Sequence, residues 1–136
     1  MNRTELTIET TGRRVVDITD EVSSFASSVA DGILLVFVPH ATAGLAVVET
    51  GAGSERDLEA AIDRLFPRDE RYDHRHGSRG HGADHVIPAF VSPSLVLPLA
   101  GGSPVLGTWQ RVVVVDPNRE NNRRRVVLVS LEGSSA

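Results

Sequence analysis

The chain has 136 residues, 40% of them hydrophobic and 24% charged, which suits one compact domain with its own core. Its 14 basic residues are all arginine and face 18 acidic ones for a net charge of -4, so a general nucleic-acid binder is excluded and any anion site must be local. Lysine and cysteine are absent, which removes Schiff-base chemistry, the phosphate-loop lysine, disulfides, thiolate zinc sites and thiol nucleophiles.

Leu6 and Ile8 alternate with Glu5, Thr7 and Glu9, so the spacing predicts a strand over residues 3–11 with one buried face. Residues 15–18 continue in extended form after Gly12. Thr19 then caps a helix whose apolar positions Val22, Phe25, Ala26 and Val29 recur at helical spacing, and Gly32 ends it. The run Ile-Leu-Leu-Val-Phe-Val at 33–38 predicts a central strand buried on both faces. Pro39 stops that strand and His40 stands at its mouth. In the turn that follows, Ala41, Ala43 and Gly44 leave backbone amides unobstructed and Thr42 adds a hydroxyl, so it reads either as an anion cradle or as a tight turn into a strand over 45–48 that Glu49 closes. Ser54-Glu-Arg-Asp57 approximates a capping box, and Leu58, Ala61, Ile62 and Leu65 give the second helix its apolar stripe, with Pro67 as its end. Residues 68–71, Arg-Asp-Glu-Arg, read as a solvated face.

Between Tyr72 and His85 lie four of the chain's five histidines, with Asp73, Asp84, Gly77, Gly80 and Gly82. Imidazole is the commonest metal ligand and titrates near neutral pH, so this density points to metal binding or proton transfer; a polar linker without ligands is the bland reading. On an extended segment His74 and His76 point the same way, and His81 with His85 would share one helical face. Gly82 weakens a helix there, so His85 at the start of the next element, and His74 over His76, are the favoured ligands. Asp84 is expected to cap a short helix over 85–90, with a strand as the alternative.

Residues 94–99 form a strand that Pro98 confines to an edge or an end, and 100–103 turn. The valine-rich stretches 107–116 and 123–131 are expected to pair as an antiparallel hairpin around the turn at 117–122, each needing cover on two faces. Trp109 is expected in the core or at a subunit contact. Alternation sends Arg124 one way and Arg123 with Arg125 the other, so the arginines form either a charged edge or a phosphate-holding face. The tail from Glu132 is expected to fray. Together these elements predict one α+β domain over residues 1–136, mostly antiparallel sheets in a sandwich with two or three flanking helices. No apolar run approaches about 18 residues and no secretory signal is visible, so no membrane span and a cytoplasmic location are expected.

The ordered blocks His40-x-Thr-Ala-Gly-Leu45 with Glu49, Tyr72-x-His74, Gly80 through His85, Pro93-Ser-Leu95, Leu106-Gly-Thr-Trp-Gln110 and Arg124-Arg-Val resemble the YjbQ-like family over nearly the whole chain. The resemblance implies a homotrimer and a pocket where His40, His74 and His85 hold a divalent metal, zinc or magnesium, beside the acidic Glu49, with no organic cofactor. It also implies thiamine-phosphate-synthase-type activity: joining hydroxymethylpyrimidine diphosphate to a thiazole phosphate with loss of pyrophosphate. His40, Glu49 and His85 are then the expected catalytic residues, and Thr42, Ala43, Gly44 and Arg124 the phosphate-binding ones. Family members commonly have asparagine where His81 stands, and a basic residue soon after the histidine matching His85; here that role would fall to Arg124. A zinc hydrolase with Glu49 as general base and a non-catalytic ligand- or metal-binding protein are the competing readings.

Overall fold

Alternating side chains sort the strands of the computed structural model, which describes residues 1–134, into two antiparallel sheets. The larger has the order β1 (Asn2–Glu9), β8 (Arg123–Glu132), β3 (Gly32–Phe37), β5 (Ser94–Ala100) and β6 (Ser103–Pro104). The smaller has β2 (Val15–Asp17), β7 (Arg111–Val115) and β4 (Gly44–Val48). Leu34 and Val36 of β3, Val126 and Leu128 of β8, and Leu97 and Leu99 of β5 pack inward with Val112 and Val114 of β7. Helix α1 (Thr19–Ala26) adds Val22 and Ala26 to this core. The other face of β7, Val113 and Val115, packs with Ile62 of α2 (Ser54–Leu65) and with Ile87, which follows α3 (His81–Val86). Each such fully buried valine or leucine stabilises the fold by about 1.5–3 kcal/mol.

The α+β architecture read from the sequence is the one observed, and several local expectations change. β7 and β8 do not form a hairpin: β8 pairs with β1 and β3, and β7 with β2 and β4. The chain therefore crosses from one sheet to the other through residues 116–122. Of the continuous apolar runs, only β7 is covered on both faces. β3 is central, yet Ile33 and Phe37 are exposed, because no helix or strand among the described residues covers them on the outer face of the larger sheet. Gly32 opens β3 rather than closing α1, which ends at Ala26 and has Ile18 at its N-cap. α2 starts after Gly53 in a left-handed conformation, with no side-chain cap from Ser54; Glu55 instead accepts the Gly51 N–H. Trp109 is 72% exposed. Arg124 is buried while Arg123 and Arg125 face solvent, as alternation predicts. β8 continues to Glu132, and the last part of the predicted tail, 135–136, lies outside the described residues.

Candidate metal centre and its pocket

The histidine segment folds into a loop that returns as a helix, and two glycines permit it. Gly80 takes φ 75° at the N-cap of α3, and a Cβ there would sit 2.5 Å from the Arg68 backbone. Gly82 lets the helix lie against Tyr72, whose Cβ would be 2.4 Å from a side chain at that position. The helix thus begins at His81, four residues before the start expected from the sequence, and carries His81 and His85 on one face. Asp84 is mid-helix and fully buried, not a cap. It accepts from Arg68 and, at 2.9 Å, from Asn118 Nδ2. Arg68 is accordingly an anchor for α3, not part of a solvated face.

Four imidazoles converge here: each of His74, His76, His81 and His85 offers one ring nitrogen, all within 4.8 Å of one another. His81 Nε2 and His85 Nε2 are 2.9 Å apart. A tetrahedral ion with Zn–N bonds of 2.0–2.1 Å needs donors about 3.3 Å apart, inside the range spanned by this group. The rings of His74 and His85 lie 4.3 Å apart between centroids. Burial first, then the neighbouring imidazoles, pushes the pKa of His74 and of His85 below the ordinary value, so these rings favour the neutral form that ligates metal.

His40 is beside this group and outside it. Its Nε2 accepts the Arg125 backbone N–H at 2.9 Å, so the neutral ring carries its proton on Nδ1. Burial, then Arg124 and Arg125, hold its pKa below the ordinary value. The structure brings together His74 and His85 of the expected ligand set, adds His76 and His81, and sets His40 apart as a pocket wall. A cleft of about 370 Å³ lies over the group, lined by His40, Thr42, His85, Asn118, Asn121 and Arg124.

Arg124 is 1% exposed and gives Nε and Nη2 to Asp116, at 2.8 and 2.7 Å. Its Nη2 also donates to Thr42 Oγ1 at 2.9 Å, which leaves the Thr42 hydroxyl proton free to donate into the cleft. Thr10 completes the set by donating to Asp116 Oδ2 at 2.6 Å. Ala43 and Gly44 are buried, and the Leu45 N–H is taken by the Ser92 carbonyl, so of that turn Ala41 and Thr42 line the cleft and Thr42 alone brings a polar side chain to it. Glu49 lines a separate groove with Ser54 and Leu58. Sequence reasoning passed over Asp116, Asn118 and Glu120. They sit in a stretch that reads as turn chemistry, and only the crossing between sheets carries them to the histidines.

A family model described as UPF0047 protein YjbQ-like matches residues 4–134. The chain belongs to the YjbQ/UPF0047 family. Among its relatives, the UPF0047 protein Rv2556c of Mycobacterium tuberculosis is 56% identical over 133 residues, covering 98% of this chain and 100% of that one. The Bacillus subtilis UPF0047 protein YugU is 32% identical over 111 residues, 79% of this YjbQ-like chain and 83% of its own. The crystal structure of a YbjQ-like protein (SSO2532) of Sulfolobus solfataricus superposes with a TM-score of 0.89 at 25% identity, over 97% of both chains. That of APE1520 from Aeropyrum pernix gives 0.86 at 30% identity, over 98% of this chain and 100% of that one. In this YjbQ-like protein no helix among the described residues is long and apolar enough to cross a membrane.

Proposed function

We propose that this YjbQ-like protein is a metal-assisted enzyme acting on a phosphorylated small molecule, with thiamine-phosphate-synthase-type transfer as its reaction. The observation that carries this reading is the cleft where three of the four converging imidazoles, His76, His81 and His85, share a wall with His40, Thr42, Asn121 and Glu120. An all-imidazole donor set favours zinc or a similar borderline ion over magnesium. Such an ion would be held by His74, His76, His81 and His85 and, with its tetrahedral positions taken by imidazole, would act as a fixed positive charge beside an anionic oxygen. Two imidazoles one helical turn apart and two more on the preceding loop suit that role without any carboxylate ligand.

The chain's own groups would do the rest. His40 presents Nδ1–H, Thr42 its hydroxyl and Asn121 its amide, all of them able to donate to a diphosphate. Arg124, spent on Asp116, fixes Thr42 in place rather than binding phosphate through a free guanidinium. In the transfer, the bond from the pyrimidine's exocyclic carbon to oxygen breaks and its electron pair leaves with pyrophosphate. The thiazole nitrogen lone pair forms the new C–N bond, giving thiamine phosphate. No side-chain base is needed for that step, which fits the placement of Glu49 in another groove. The site's work is to hold two partners together and stabilise the departing anion.

The test follows pyrophosphate release and thiamine phosphate formation from the two precursors, with tag-free protein, before and after treatment with a chelator. Product that disappears with the metal supports the reading. Phosphate or ester hydrolysis without C–N bond formation would replace it with a hydrolase, and tight precursor binding without turnover with a binding protein.

We also propose that the outer face of the larger sheet is covered by further copies of the chain, as the homotrimer of the resemblance requires. Ile33, Phe37, Val96 and Leu131 lie on that face at 44, 39, 62 and 45% exposure, a contiguous apolar surface that a monomer has no reason to keep.

A further inference from the structure

We infer that Glu120 and Asp84 are positioning residues that present His81 to a metal through Nε2, and that Asn118 joins this arrangement to the wall of the cleft. The inference rests on the metal-assisted reading above and concerns how the protein orients one ligand of that centre.

His81 is 6% exposed, and its two ring nitrogens face opposite surroundings. Nε2 looks at His85 Nε2 and so into the imidazole group. Nδ1 looks away from it, toward Glu120 Oε2 at 3.6 Å and Asp84 Oδ2 at 3.7 Å. The Asn118 amide nitrogen is also near, at 3.4 Å, and is shared with Asp84 Oδ2 at the shorter distance of 2.9 Å. Both carboxylates stand just beyond hydrogen-bond length, and their negative charges favour a proton on Nδ1 through Coulomb attraction, while the Asn118 amide already donates to Asp84. A proton on Nδ1 leaves the Nε2 lone pair free toward the metal. Carboxylates on the outer nitrogen of a ligating histidine do this in many metal sites, fixing both tautomer and ring orientation.

Neither carboxylate is placed by accident. Asp84 is locked inside α3 by Arg68 and Asn118. Glu120 comes from the crossing segment between the sheets and also accepts the Ser78 backbone N–H, so one side chain pins the histidine loop and flanks His81. Asn118, through its Oδ1, holds the backbone N–H groups of Glu120 and Asn121 at 3.0 and 2.8 Å. Asn118, Glu120 and Asn121 all line the cleft, so the groups that orient His81 are also the groups that shape its wall. A metal ligand and a substrate wall are thus parts of one hydrogen-bonded unit.

The experiment uses tag-free full-length protein stripped of metal and titrated with zinc against a chromophoric chelator, and with cobalt(II) read by its visible spectrum. Wild type, E120Q and D84N are compared, with the melting temperature of each apo form. Glu120 is 39% exposed at its side chain, so E120Q is expected to keep the wild-type apo melting temperature. Its zinc affinity should fall by about 10- to 100-fold, and its cobalt spectrum should change in the ligand-field bands. E120D should recover part of the affinity. D84N should lose at least as much, and its apo form should melt earlier because Arg68 loses its partner. E120Q binding zinc as wild type does, with an unchanged cobalt spectrum, would overturn the inference while leaving the metal centre standing. A wild type that takes up neither ion would overturn the metal-assisted reading itself, and this inference with it.

Discussion

His81 and His85 face each other across one turn of α3, Nε2 to Nε2 at 2.9 Å. Tag-free wild-type protein is therefore expected to carry about one zinc or similar ion per chain, as one tetrahedral site requires. H85A and H81A should each lose most of it. H40A should keep it, because His40 Nε2 is bonded to the Arg125 N–H. Elemental mass spectrometry on the variants checks all three, and loss of metal in H40A and H85A but not in H81A would return the centre to the His40, His74 and His85 set expected from sequence.

The buried pair of Arg124 and Asp116 supports the Thr42 side of the cleft. Removing one partner strands a charge in the core, so D116N is expected to cost about 3–5 kcal/mol. T42A removes one hydrogen bond to a charged group and should cost about 1.5–3 kcal/mol. Urea denaturation of apo protein measures both.

Stability should fall on mild acidification, and His40 should contribute to the slope. Its folded pKa lies below the ordinary imidazole value of 6.5, so as pH falls the unfolded chain takes up the proton first. The contribution is present in full above the unfolded value and is lost as pH drops through it toward the folded one. His74 and His85 shift in the same direction, so the difference between wild type and H40Q isolates His40. Urea midpoints from pH 7.5 to about 5 should converge between the two proteins at the acid end.

A methyl group at position 82 would collide with Tyr72. G82A is expected to destabilise the chain by about 1–3 kcal/mol, the usual cost of overpacking. It should also reduce zinc uptake by moving His81 and His85 together. A G82A protein with wild-type melting and metal content would show that α3 can shift without consequence.

The exposed apolar face predicts the behaviour of V96E. Wild type should run as a trimer by light scattering, and V96E, with a charge at a 62% exposed position on β5, should shift toward monomer with an unchanged circular dichroism spectrum. A monomeric wild type would leave that surface to some other partner.

The fold class was legible because period-2 alternation and the capping and breaker residues are local signals. The partner of each strand was not. Two valine-rich runs around a turn give no local sign that β7 belongs to one sheet and β8 to the other, and a hairpin satisfies the same pattern. The histidine density marked out the segment whose four imidazoles converge in the fold. Gly82 misled the finer reading: its helix penalty of about 1 kcal/mol is outweighed by the Arg68 and Asn118 contacts of Asp84, which exist only in the folded chain. Arg124 was placed on the right face by alternation, but its commitment to Asp116 depends on the crossing segment.

β1 lies at the sheet's edge and bonds to β8 alone, with Asn2 opposite Ser130 and Glu9 opposite Arg123. During synthesis β1 thus has no partner until β8, on the far side of residues 10–122, has been made. Closing so long a loop gains nothing until β8 arrives, so β1 joins the larger sheet only after every other strand of both sheets has been made. A nascent chain paused before β8 would leave β1 with both edges open and Asp116 without its Arg124 partner. Termination before β8 therefore splits β1 from the β3, β5 and β6 part of the sheet and takes Arg124 from Asp116 together.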